Sequence, residues 1–125
     1  MELRPMVLGY ARTELRRKLV DAVLRGEKTA TAGLFDDVSP AEPLASAGDR
    51  FVLVDFDDEP VAVVETTEVH VVRMADVELQ FARDEGEGFE SIADWRNAHE
   101  RFWSDRALSD DTLIVAERFR LVERL

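Results

Sequence analysis

Gly26-Glu27-Lys28-Thr29-Ala30-Thr31-Ala32-Gly33 joins the end of a helix to the start of a strand, and sets one lysine and two hydroxyls at the joint. The helix before it is legible: Leu15, Leu19, Ala22 and Val23 recur at helical spacing, Thr13 suits an N-cap, and Gly26 suits the left-handed residue that closes a helix. Lys28 therefore falls just past a helix C-terminus. The β-favouring Thr29-Ala30-Thr31-Ala32 then runs extended, with Lys28, Ala30 and Ala32 on one side and Thr29, Thr31 and Gly33 on the other. Lys28 and Thr31 converge only if the chain twists or bulges there. The plainer alternative is a solvated lysine neutralising the helix end, followed by an ordinary Thr-rich strand.

Working outward, residues 36–50 contain Pro40, Pro43 and Gly48 and read as a loop long enough to cover a site or wrap a barrel. Phe51-Val52-Leu53-Val54-Asp55-Phe56 is a compact apolar strand, Asp57-Asp58-Glu59-Pro60 a turn, and residues 61–72 a long β-branched stretch. Together they predict an antiparallel hairpin. Its second arm is interrupted by Glu65-Thr66-Thr67-Glu68, which implies a bend, bulge or pocket, or else the solvent face of an edge strand.

Residues 76–83 read as a short helix that gives way to Asp84-Glu85-Gly86-Glu87-Gly88. Two glycines in three positions allow backbone conformations closed to other residues, so the carboxylates between them can be aimed inward; a flexible acidic linker is the alternative. Ser91-Ile92-Ala93-Asp94 then opens a third helix with a capping box, and Ile92, Trp95, Ala98, His99 and Phe102 form its apolar stripe. Trp95 and Phe102 are expected in the core, whereas Arg101 and Trp103 fall off the stripe and are expected to line an opening. His99 is either a partly buried structural histidine or a functional one. The segment 113–121 is a final strand, with Leu113, Val115, Phe119 and Leu121 on one side.

Composition narrows the function classes. A chain of 125 residues fits one domain, 1–125. No run approaches the roughly 18 apolar residues of a bilayer span, and Met1-Glu2-Leu3-Arg4-Pro5 lacks the apolar region of a secretory signal, so a soluble cytoplasmic protein without membrane attachment is expected. With no cysteine and only His70 and His99, thiolate chemistry is excluded, and neither a metal site nor a cofactor is expected. Sixteen Lys and Arg against 27 Asp and Glu give a net charge of −11, which opposes non-specific binding of duplex DNA. The partners this charge allows are a small nucleoside-like ligand or a short single-stranded RNA held in a local basic pocket.

The ordered parts resemble the bacterial ASCH domain family over nearly the whole chain: the first helix, the Gly26-x-Lys28 junction, the loop ending in Gly48-Asp49, the hairpin, and a helix carrying Trp95-x-x-x-His99-x-x-x-Trp103. The resemblance implies an α+β fold, a small PUA-like β-barrel, mostly antiparallel, with about three flanking helices and a cleft floored by the lysine junction. The usual motif of the family, G-x-K-x-x-E-x-R, is altered here, because Thr31 and Gly33 stand at its acidic and basic positions. Lys28-Thr29-Ala30-Thr31 instead resembles the version found in small ASCH amidohydrolases that deacetylate N4-acetylcytidine. That likeness implies catalysis by Lys28, Thr31 and a glutamate, with Glu87 first and Glu85 second, and Glu65 on the long strand as a structural rival. Thr29, Glu65, His99, Arg101 and Trp103 are the candidate substrate-binding residues.

The chemistry agrees with the implied roles. Amide hydrolysis without metal or cysteine needs a nucleophile, a proton acceptor and charge stabilisation at the attacked carbonyl, which Thr31, Lys28 and a glutamate supply. A lysine near pKa 10.4 is about 4 kcal/mol from serving as a base at neutral pH unless burial lowers it. With a glutamate alongside, it can instead stay charged and stabilise the oxyanion. Other ASCH proteins are linked to RNA, and for that reading Lys28 with His99 is the best ribonuclease pair, and Arg96, Arg101 and Trp103 the candidate contacts of a binding module.

Overall fold

The fold is taken from a computed structural model that describes residues 3–125; of the five residues read for a leader, Met1 and Glu2 lie outside them. The described residues form strands β1 (Arg4–Met6), β2 (Ala30–Leu34), β3 (Arg50–Val54), β4 (Pro60–Arg73) and β5 (Leu113–Arg124), with helices α1 (Glu14–Leu24), α2 (Leu79–Asp84) and α3 (Ile92–Phe102). They make one sheet in the order β1-β3-β4-β5-β2, antiparallel except where β1 pairs with β3. This is the expected α+β architecture. β1 is an addition, since three residues ending at Met6 carry too short a pattern to be read as a strand.

The hairpin β3–β4 turns through Asp58, which is left-handed at φ +63°. β4 is long because β5 pairs with it along nearly its whole length, yet it bulges between Thr66 and Glu68, where Thr67 is the unpaired extra residue. The polar interruption is therefore a bulge inside a continuous strand. Onto it docks the end of the long loop, through Gly48 N–H to Thr66 O and Thr66 N–H to Asp49 O, both 2.8 Å.

Each face of the sheet has its own core. α1 packs Leu19, Val20 and Val23 against Leu8, Phe51, Leu53, Val64 and Phe119 on one face. On the other, α2 and α3 pack Phe81, Ala82 and Trp95 against Ala30, Leu34, Met74 and Ile114. At about 1.5–3 kcal/mol per fully buried large apolar side chain, these two layers hold the helices where isolated 11-residue segments would be marginal. β5 therefore faces two cores, through Ile114 on one side and Phe119 on the other. Phe102, expected in the core, stays 39% exposed at the last turn of α3, while Trp103, expected at an opening, is 8% exposed. The helix ends at Phe102, and the turn that follows carries Trp103 inward.

Among the described residues no helix is long and apolar enough to cross a membrane.

Candidate functional site

The two edges of the sheet face one another without pairing. Pro5, Met6, Val7 and Leu8 on the β1 side and Thr31 to Leu34 on β2 line one continuous cleft, a broad arm of about 750 Å³ and a narrower arm of about 400 Å³. The broad arm has the size of a small-molecule site.

Local backbone structure at the junction places Lys28 in that arm. Gly26 is left-handed at φ +80°, and the N–H groups of Glu27 and Lys28 both donate to the Ala22 carbonyl, at 2.9 and 3.1 Å. The chain is thereby turned before the strand starts, so Lys28 and Thr31 line the same cleft although strict alternation would separate them. The acidic loop is clamped against this turn. Gly86, at φ +71°, lies so close that a Cβ there would stand 2.6 Å from the Glu27 carbonyl oxygen and 2.8 Å from Lys28 Cα. Thr29 N–H donates to Asp84 O at 2.8 Å on the same seam.

Lys28 is 2% exposed. Its Nζ donates to Ala30 O at 2.8 Å and Glu85 O at 3.2 Å, with the Glu87 carboxylate at 3.7 Å and that of Glu85 at 4.0 Å. Burial lowers the ammonium's pKa below the ordinary lysine value, and Glu85 and Glu87 offset part of that. Burial likewise raises Glu87 above the usual carboxylate range; Lys28 opposes this, and the like charge of Glu85 adds to it.

The two glutamates differ in setting. Glu85 is 1% exposed and fixed by the indole N–H of Trp95, with His99 Nε2 at 3.7 Å from its Oε1. His99 Nδ1 lies 2.8 Å from the Trp95 carbonyl and must be its donor, since a carbonyl only accepts. The imidazole stacks on Trp95, centroids 4.2 Å apart, and tilts against Trp103 at 5.0 Å. Both line the broad arm, Glu85 as an inner, immobilised carboxylate and Glu87 as the more exposed of the two.

Thr31 lies between the arms, and its hydroxyl has no hydrogen-bond partner among the described residues. His99, Arg101 and Trp103 line the broad arm. Glu65 does not: it is held on the β4 surface by Arg50 at 3.1 Å and Arg120 at 3.3 Å, pairs dictated by cross-strand register. Thr29 is also outside the lining, because its side chain turns to the Asp84 carbonyl. Arg96 is engaged by Glu100 and Asp110. Among the described residues no group of three or more His, Cys, Asp or Glu could hold a metal ion.

Three features escape a reading of the sequence. Tyr10, 69% exposed, stacks on Phe102 with centroids 5.8 Å apart at the mouth of the broad arm. Arg16, buried at 2% exposure, holds the loop carrying Tyr10 through the carbonyls of Leu8 and Gly9. Glu117 faces the narrow arm from β5. Each depends on contacts between distant segments; only Glu117 left a local sign, as an acidic residue within an apolar strand.

A comparison with curated proteins returns no match. Among solved structures, the chain is similar to a protein of Enterococcus faecalis V583, with a TM-score of 0.85 and 27% identity over 97% of this chain and 77% of that one. An ASCH domain from Lactobacillus crispatus JV V101 gives 0.81 and 29%, covering 94% and 78%. An ASCH protein from Zymomonas mobilis, solved as a point mutant, shares the fold alone, at 12% identity, 86% and 68% coverage and a TM-score of 0.55. The family model described as the ASCH domain matches residues 6–123, and with the junction, the sheet and the three helices in place, the chain belongs to the ASCH domain family.

Proposed function

We propose that the protein is a metal-independent amidohydrolase of an acylated nucleobase of the N4-acetylcytidine kind. The observation that carries this reading is a buried lysine, bound only to carbonyls and flanked by Glu87, in a cleft where the Thr31 hydroxyl is unpartnered among the described residues. The volume of the broad arm and its Tyr10–Phe102 rim suit an aromatic ring with a small acyl substituent.

In this mechanism the Thr31 oxygen attacks the amide carbonyl and Lys28, neutral at the moment of attack, takes the hydroxyl proton. The carbon–nitrogen bond breaks and the Lys28 ammonium gives that proton to the leaving nitrogen. Water then attacks the acyl-threonine ester, loses a proton to Lys28, and the Thr31 oxygen is reprotonated as the acid leaves. Glu87 stabilises the ammonium formed in each half-reaction, and Glu85 holds Lys28 in place through its backbone carbonyl.

The cleft lining weakens an RNA reading, because Asp37, Glu42, Glu85, Glu87 and Asp105 surround Lys28, Arg101 and Arg106, the last already paired with Asp37. The test is turnover of N4-acetylcytidine by the purified protein, with the Lys28→Ala and Thr31→Ala variants. Turnover is expected, falling roughly 100-fold or more in each variant, about 2.7 kcal/mol of barrier. Full activity in both variants removes these residues from the mechanism. No turnover, with micromolar and salt-sensitive binding of single-stranded RNA, replaces the reading with an RNA-binding module.

A further inference from the structure

We infer that Glu117 is a second recognition point in the same cleft, set across the floor from Thr31, and that it reads the edge where an acylated amino group adjoins an sp² ring nitrogen. The inference rests on the amidohydrolase reading of the Lys28 end and adds to it the class of leaving group.

Thr31 and Glu117 are directly opposed partners on β2 and β5. Opposed residues of an antiparallel pair point to the same face with Cβ atoms about 5 Å apart, and both side chains line the narrow arm. An acyl carbon at the Thr31 oxygen therefore has its amide nitrogen within the reach of Glu117. The carboxyl group is oriented by the β4 bulge, which turns the fully buried Thr66 toward β5 so that its hydroxyl donates to Glu117 Oε2 at 2.8 Å. Oε1 has no hydrogen-bond partner among the described residues.

Burial pushes the Glu117 carboxyl above its ordinary value, against the Thr66 hydrogen bond and the charge of Arg4 on β1, while Asp49 ahead of β3 adds to the rise. Asp37 and Glu42 also line this arm, Asp37 paired with Arg106 at 2.9 Å. A protonated carboxyl is a two-point reader: Oε1–H donates to the ring nitrogen, and Oε2, which keeps a lone pair beside Thr66, accepts from the exocyclic N–H. As the acyl carbon–nitrogen bond breaks, the Glu117 proton passes to the ring nitrogen and the base leaves as its neutral imino form. Lys28 then protonates the exocyclic nitrogen, and the ring proton returns to Glu117, so that every proton is restored.

The test compares N4-acetylcytidine with acetanilide, an aryl amide without the ring nitrogen, in the wild type and in Glu117→Ala, Glu117→Gln and Thr66→Val. Glu117→Ala is expected to lose about 100-fold in kcat/KM on N4-acetylcytidine and less than about twofold on acetanilide. Glu117→Gln keeps both hydrogen bonds but no transferable proton, so kcat falls while KM holds. Thr66→Val, close in shape, removes a hydrogen bond that favours the carboxylate, so the basic limb of the pH profile moves to higher pH. Equal losses on both substrates, no loss on either, or an unmoved limb in Thr66→Val overturns the inference and leaves the Lys28 mechanism standing. Should the wild type hydrolyse neither amide, the amidohydrolase reading has failed, and calorimetric binding of cytidine decides Glu117: a tenfold loss in Glu117→Ala supports it, and unchanged affinity overturns it.

Discussion

Arg16 and Lys28 are buried to the same degree, 2% exposed each, and are held in opposite ways. Arg16 spends its guanidinium on the carbonyls of Leu8, Gly9 and Asp55 and meets the Asp58 carboxylate at 2.5 Å. Lys28 spends two of three donors on carbonyls and keeps its carboxylates at 3.7 and 4.0 Å, beside a cleft. A guanidinium does not deprotonate in proteins, so Arg16 is a fixed lock between α1, the Tyr10 loop and the β3–β4 turn. An ammonium titrates, and its incomplete saturation leaves it free to exchange protons with a neighbour. The degree of burial does not tell the two settings apart; how fully each cation's donors are used does.

The sharpest way to break this comparison is Arg16→Met. It leaves the Leu8 and Gly9 carbonyls without their side-chain donor, takes from the Asp55 carbonyl one of its two donors, and removes the partner of Asp58, so a loss of about 3–5 kcal/mol in urea unfolding is expected. A loss below about 1 kcal/mol would show that Arg16 is no lock.

Gly86→Ala comes next. A Cβ at φ +71° and 2.6 Å from the Glu27 carbonyl forces the acidic loop off the Lys28 turn, so stability falls by about 1–3 kcal/mol and, on the proposed amidohydrolase function, N4-acetylcytidine turnover falls with it. Unchanged stability and turnover would show that the loop does not need this contact to place Glu85 and Glu87.

The pH dependence of stability separates the cations further. Because the folded pKa of Lys28 lies below its unfolded one, the unfolded chain binds more protons between the two values, and stability rises with pH across that window. Glu87 works the other way: its raised folded pKa makes stability fall as pH rises from the unfolded carboxylate value through the folded one. Lys28→Met should flatten the alkaline rise and Glu87→Gln the acidic fall, each tenfold change in proton affinity amounting to about 1.4 kcal/mol. Thermal melts across pH read both slopes, and a Lys28→Met profile identical to the wild type would mean that Lys28 titrates alike in both states.

The smallest effect belongs to the surface. Arg17→Ala breaks an exposed i,i+3 pair with Glu14 and a cation–π contact over the Phe56 ring at 4.4 Å, and should change stability by about 0.5–1 kcal/mol, giving a baseline against which the Arg16 loss is judged.

Local signals in the chain reached far. The caps at Thr13 and Ser91, the closing Gly26, the hairpin around Asp58 and the break at residues 65–68 are all written in short-range residue chemistry, and each has its counterpart in the fold. Phe102 misses the core because helical periodicity stops where the helix stops, whereas Trp103, in the turn that follows, lines the broad arm as expected and also packs into the second core. Glu65 on the long strand stands in the sequence as a structural rival to Glu87 and Glu85, and register commits it to Arg50 and Arg120.

By itself the sequence determined the α+β elements, the lysine junction and the absence of thiol chemistry, since caps, turn residues and periodicity act over a few residues. Only the tertiary structure decided which groups share the cleft. Gly86 reaches Lys28 across 58 residues, and Thr31 meets Glu117 across 86, through strand order and a bulge that no local pattern encodes. The physical reason is that desolvation, which shifts Lys28, Glu87 and Glu117 away from their ordinary proton affinities, is a property of the packed surroundings, contributed by segments remote in the chain.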